Sequence, residues 1–287
     1  VLLGYIEAQV AAIKAYDPMV RGEEPDAVHQ MRIASRRLRS TLQSFRKFFN
    51  QPQGDELVAD LRWLGGELGA ARDAEVLSGH LEERVNELPA DLVYGPVAAQ
   101  VRGHFETIGA DANAAVLQTL DSPRYFALLD RLDALIEQPF TARATRPAGK
   151  VLPQAVLQTY RRTKRRMKHG LGLPPGERAD VSLHEARKAA KRARYAGEAV
   201  RPAFGPPAVR FTKQMKEIQS VLGEHQDAVI ARATARDLGM AAHRAGENSF
   251  TYGVLYGRVD DETRRSRKQA RRTWRSASRP GVRRWLG

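Results

Sequence analysis

Two runs of the chain set a histidine and a series of cations at helical spacing: Val28-His29-Gln30-Met31-Arg32-Ile33-Ala34-Ser35-Arg36-Arg37-Leu38-Arg39 and Leu183-His184-Glu185-Ala186-Arg187-Lys188-Ala189-Ala190-Lys191-Arg192-Ala193-Arg194. Wound at about 100° per residue, His29, Arg32, Arg36 and Arg39 fall within an arc of roughly 80°. Met31, Ala34, Leu38, Leu42 and Phe45 gather on another side, and Arg37 lies near the opposite edge of that apolar stripe. In the second run His184, Arg187, Lys191 and Arg194 share one face and Ala186, Ala189 and Ala193 another. Guanidinium offers a planar donor fork and ammonium a point charge, and both suit phosphate oxygens. An imidazole in the first helical turn adds one more donor.

Stacked like charges repel, each pair at four-residue spacing costing about 0.2–0.5 kcal/mol. No acidic residue is expected to offset the stack: Glu185 is assigned to a capping box opened by Ser182, and Gln30 stands at its place in the first run. An uncompensated cationic face built twice calls for an anionic ligand, whereas a single one reads as a solvated face. Further cations extend the surface. Arg161, Arg162, Lys164, Arg165, Arg166 and Lys168 crowd one stretch. Arg264, Lys268, Arg271, Arg272, Arg275 and Arg279 share about 120° of a C-terminal helix, and Lys213 and Lys216 extend the surface.

Other chemistries find few residues. There is no cysteine, so disulfides, thiolate metal sites and cysteine nucleophiles are excluded. No Gly-x-x-x-x-Gly-Lys-Ser/Thr loop, His-Glu-x-x-His or Gly-x-Ser-x-Gly occurs, and the basic helices lack carboxylates to hold magnesium. No catalytic residue, cofactor or metal is assigned, and the chain reads as non-enzymatic. Asp73 and Asp227 recur beside expected helix junctions and read as caps.

The elements that must position these cations are helices. Apolar residues recur at three- and four-residue spacing, which predicts helices near 2–16, 26–49, 55–70, 72–88, 91–118 and 122–138, then 151–169, 182–200, 206–222, 225–244 and 249–279. The two cationic runs are 155 residues apart, and Leu68-Gly69-Ala70-Ala71-Arg72-Asp73-Ala74 matches Leu222-Gly223-Glu224-His225-Gln226-Asp227-Ala228 at an offset of 154. The expectation is an all-α domain built of two copies of one bundle about a pseudo-twofold: repeats 1–140 and 151–287, with 141–150 as linker. The net charge of +14 is uneven, −6 over residues 1–145 and +20 over the rest. Such a basic half is relieved by a polyanion, or belongs to an arginine-rich proteome. No apolar run is long enough to span a bilayer and no signal peptide precedes the first helix, so the reading is cytoplasmic, without a membrane partner.

The two His-x-x-Arg-x-x-x-Arg/Lys-Arg-x-Arg runs resemble the signature of the CHAD family, the conserved histidine α-helical domain. Leu68 to Asp73, with Arg72, and Asp121-Ser122-Pro123-Arg124-Tyr125 are similar to further hallmarks of that family; the second-half counterpart departs at Gln226, which puts one contact in doubt. The resemblance covers nearly the whole chain. It implies two four-helix-bundle-like halves around a basic central cavity or groove, binding of inorganic polyphosphate, and association with polyphosphate granules. It also implies a frequent fusion to a triphosphatase domain, whose Glu-x-Glu-x-Lys signature is not in this chain. Charge and periodicity alone give a cationic repeat; polyphosphate comes from the resemblance. On that reading the binding residues are His29, Arg32, Arg36, Arg37, Arg39, Arg72, Arg161, Arg162, Arg165, Arg166, His184, Arg187, Lys188, Lys191, Arg194, Lys213, Lys216, Lys268, Arg271, Arg272 and Arg275. Non-specific nucleic-acid binding is the rival, since a basic surface accepts any phosphate chain. Without a helix-turn-helix or interleaved aromatics, base readout is not expected. A scaffold for an acidic protein is the third reading.

Overall fold

The computed structural model describes residues 1–287 apart from Pro139 and the side chains of Ala71, Arg72, Ala74, Glu75, Arg143 and Thr145. Among the described residues the chain is helical, with no strand. Its helices are α1 (Leu2–Arg21), α2 (Ala27–Ser44), α3 (Gln51–Asn86), α4 (Val97–Leu120), α5 (Pro123–Glu137), α6 (Ala148–Gly172), α7 (Glu177–Arg244), α8 (Phe250–Ala277) and α9 (Pro280–Arg283).

The apolar periodicity sets which faces meet. On α2, Ala27, Met31, Ala34, Leu38 and Leu42 are buried, and on α7 Ala186, Ala189, Ala190 and Ala193 are. Gly170 of α6 lies directly against α7, where a Cβ would stand 2.9 Å from Leu183 Cδ2. One core runs through both halves, joining residues such as Ile13, Leu38 and Leu64 to Tyr160, Ala190 and Phe211. A second cluster lies between the far ends of the α3–α4 and α7–α8 hairpins, around Leu81, Val101, Ala231 and Val259.

Several helix boundaries differ from the sequence expectation. The stretches 55–70 and 72–88 form one helix, α3, and 182–200, 206–222 and 225–244 form one helix, α7. The single break inside α7 is Gly205, at φ 51° and ψ −132°, a conformation open to glycine. Pro206 and Pro207 follow it, where a missing N–H leaves no helix donor unmet. Ser182 does not start a helix: α7 begins at Glu177, and Glu185 pairs with Lys188 instead of closing a cap. The expected linker contains a short 3-10 turn, Ala142–Thr145, and α6 begins inside it at Ala148.

Candidate functional site

The cationic faces of α2 and α7 meet. Lys191 feels, after its burial, the charges of Arg36, Arg187, Arg32 and Arg194, and together these push its ammonium pKa down to about 7. Burial, with Arg32 and Arg187, also lowers the pKa of Arg36. Burial, then Arg62 and Arg36, lowers that of Arg39. Arg192 is held down to about 10 by burial and by Arg162, Arg39 and Arg62. The cations therefore form one ribbon running from Arg187 and Arg32, through Lys191 and Arg36, to Arg39, Arg192, Arg62 and Arg162. The Nε atoms of Arg32, Arg36 and Arg187 are buried and meet no hydrogen-bond partner among the described residues.

Two glycines make room for the ribbon. A Cβ on Gly69 of α3 would stand 3.0 Å from Arg32 Nη2, and one on Gly223 of α7 would stand 3.3 Å from Arg187 Nη2. Each guanidinium lies against the helix backbone where a side chain would displace it. This is the physical role of the glycine that recurs at 69 and 223, and it explains why glycine stands inside both helices despite its poor helix propensity.

The two motifs are not charged alike. Asp73 pairs bidentately with Arg32, accepting from Nη1 at 2.8 Å and Nη2 at 3.0 Å, so the expected capping role is replaced by an ion pair within a continuous helix. Asp227 also lies inside a continuous helix, and it lines a cleft of about 750 Å³ with His80, Glu83, Glu224, Lys268 and Arg272. Gln226, which stands where the first copy has Arg72, faces His184, whose imidazole is pushed below its ordinary pKa by burial and by Lys188.

An internal counterion corrects the expectation of an uncompensated stack. Glu198 pairs with Arg194 at 3.3 Å, one turn on, and with Arg37 at 3.6 Å, and it accepts from the Tyr5 hydroxyl at 3.4 Å. The Tyr195 ring lies beneath Arg194 at 4.6 Å and Arg37 at 6.0 Å. Tyr195, Glu198 and Arg62 were not singled out from sequence, although Glu198 stands at the i+4 position from Arg194.

The other assigned cations are more scattered. His29 is half-buried in the first turn of α2, and Lys188 is exposed beside Glu185. Arg161 and Arg165 are exposed on α6, Arg162 faces Arg192, and Arg166 acts electrostatically on Glu185. Lys213 and Lys216 line a separate groove with Glu217, Gln269 and Thr273. Lys268 and Arg272 sit in the cleft of mixed charge, and Arg275 is exposed. Arg271 has a structural partner: it donates to the Leu171 carbonyl at 2.8 Å, while Arg267 donates to the Leu173 carbonyl, so the pair caps the C-terminus of α6. Arg264 pairs with Asp260 and Asp261. The side chain of Arg72 lies outside the described residues. No group of three or more metal-ligating side chains occurs among the described residues, and none of their helices is long and apolar enough to cross a membrane.

Comparison with known proteins agrees with this architecture. The uncharacterized proteins Rv2226 and MT2285 of Mycobacterium tuberculosis are each 34% identical over 268 residues, covering 92% of this chain and 50% of theirs. The chain thus spans about half the length of the curated relatives it matches. Among solved structures, PptA from Streptomyces chartreusis superposes with a TM-score of 0.79 at 21% identity, covering 96% of this chain and 98% of its own, a likeness of fold. The crystal structure of the CHAD domain from the plant Ricinus communis gives a TM-score of 0.68 at 26% identity, covering 99% and 90%. The model of the CHAD domain matches residues 4–236, a span that contains both cationic motifs and both glycine contacts, and the chain belongs to the CHAD domain family.

Proposed function

We propose that this chain is a non-catalytic receptor for inorganic polyphosphate, which lies along the cation ribbon between α2 and α7. The observation that carries the reading is the convergence of Arg36, Arg39, Arg187 and Lys191, which meet no carboxylate partner among the described residues. Desolvated like charges raise the free energy of the folded state. A flexible chain of phosphates offers each of them an oxygen, and guanidinium forks bind such oxygens with two hydrogen bonds. The repeats 1–140 and 151–287, related by a pseudo-twofold, would each contribute one motif helix and one glycine contact. Residence on polyphosphate granules, a cytoplasmic location and a triphosphatase domain in the same polypeptide belong to the same proposal.

Exposed cations on α6 and α8, among them Arg161, Arg165, Lys268 and Arg275, also suit the backbone of a nucleic acid. Competition decides between the two ligands. Labelled long-chain polyphosphate is bound at physiological salt and challenged with duplex DNA, single-stranded RNA and heparin. Retention against a large excess of nucleic acid supports the dedicated receptor. Displacement at equal phosphate concentration makes the protein a general polyanion binder and overturns the specific assignment.

A further inference from the structure

Arg32 and Arg187 occupy matching positions in the two motifs, and each lies on a helix glycine, Gly69 or Gly223. Their solvent sides differ. The Asp73 carboxylate grips both terminal nitrogens of Arg32, at 2.8 and 3.0 Å, in the same two-bond geometry that a phosphate would use. The Arg32 side chain is 15% exposed and that of Asp73 71%, so the carboxylate covers a guanidinium that is otherwise sunk into the site. Asp227 follows Gly223 by four residues, as Asp73 follows Gly69, yet it lines the neighbouring cleft and makes no ion pair with Arg187.

We infer that Asp73 is an internal competitor for phosphate at Arg32, so that a polyanion engages Arg187 and its neighbours first and gains Arg32 by displacing the Asp73 carboxylate. This rests on the polyanion reading above and assigns the order in which that site fills. Asp73 is largely hydrated while paired, so releasing it into water is cheap. The cost of filling the Arg32 position is then the strength of one partly exposed ion pair. Asp73 acts on the ligand through Arg32 and sets affinity without touching phosphate itself.

The test measures long-chain polyphosphate affinity for the full chain and for Asp73→Asn, Arg32→Gln, Arg187→Gln and the Arg32→Gln/Asp73→Asn double variant. Asp227→Asn serves as a control for charge alone, and thermal melts verify folding. Asp73→Asn is expected to tighten binding about two- to five-fold, the worth of such a pair. The gain should vanish in the Arg32→Gln background, and Arg32→Gln alone should cost less affinity than Arg187→Gln. A gain that persists without Arg32, or is matched by Asp227→Asn, reduces the effect to general electrostatics and overturns the inference. Weaker or unchanged binding by Asp73→Asn overturns it too, because Asp73 then positions Arg32 or is idle. If the wild-type chain binds no polyphosphate, this inference and the reading beneath it both fall.

Discussion

Gly223 and Arg187 are in direct contact: a Cβ on the glycine would stand 3.3 Å from Nη2 and 3.6 Å from Cζ of the guanidinium. Gly69 holds Arg32 in the same way, more tightly, at 3.0 Å. Alanine favours a helix interior over glycine by about 1 kcal/mol, so on propensity alone both positions are better filled by alanine. Gly69→Ala and Gly223→Ala are therefore expected to leave the melting temperature unchanged or raised while weakening polyanion affinity. Thermal denaturation and a binding titration on the same samples check this. A parallel loss of stability and binding would make the glycines packing positions only.

Lys191 opposes the fold that contains it. It is half-buried among Arg36, Arg187, Arg32 and Arg194. Lys191→Met keeps the length of the stem and removes the charge, and is expected to stabilise the chain by about 1–2 kcal/mol. The same variant should bind polyphosphate more weakly. Chemical denaturation together with a titration separates the two effects, and a destabilised variant would contradict the assignment of repulsion.

Acidity links the same residue to binding. The Lys191 ammonium has an ordinary pKa of 10.5 and is held at about 7 in the folded chain. Between these values the unfolded chain carries the proton and the folded chain does not, so this group's contribution to stability rises with pH from about 7 towards 10.5. A polyanion favours the charged form. Affinity is thus expected to fall as pH rises above 7, with uptake of up to one proton per complex at pH 8. Calorimetry in buffers of different ionisation enthalpy measures that uptake, and buffer-independent heats would remove Lys191 from the linkage.

Arg267 and Arg271 separate structure from binding on the basic C-terminal helix. They cap the last carbonyls of α6, Leu171 and Leu173. Replacing either by alanine is expected to cost about 1 kcal/mol of stability, the worth of a hydrogen bond to an otherwise orphaned carbonyl. The effect on polyphosphate affinity should be smaller than that of Arg187→Ala. Binding losses equal to those of Arg187→Ala would return Arg271 to the ligand face.

The helices were legible in the sequence because a buried stripe at 3.6-residue spacing leaves few alternatives, as Met31, Ala34, Leu38 and Leu42 show on α2. Their continuity was not. Glycine and a carboxylate near 69–73 and 223–227 look like a break followed by a cap, and only the arginine packed from another helix reveals why glycine is there. The convergence of the two motifs was readable as a repeated face, but its members were sorted by tertiary approach. Arg62 joins Arg39 and Arg192 with no local signal, and Arg271 turns to a carbonyl 100 residues earlier in the chain. The pair between Glu198 and Arg194 is legible in the sequence, since a four-residue spacing along one helix alone predicts it.

The break in α7 fixes how this chain tolerates insertion. Between α2 and α3 residues 45–50 form an elbow with a 3-10 turn at Arg46–Phe48; Phe45, Phe48 and Phe49 anchor it in the core, and an added residue finds room beside the exposed Arg46, Lys47 and Asn50. Between the second motif and Gly223 the only irregular residue is Gly205. Helix on both sides of it means that one inserted residue rotates everything downstream by about 100° relative to the motif, taking Gly223 out from under Arg187. Length variation among homologous chains should therefore collect at the first elbow and be absent from the second, so that the spacing from Arg187 to Gly223 is held to the residue while that from Arg32 to Gly69 drifts.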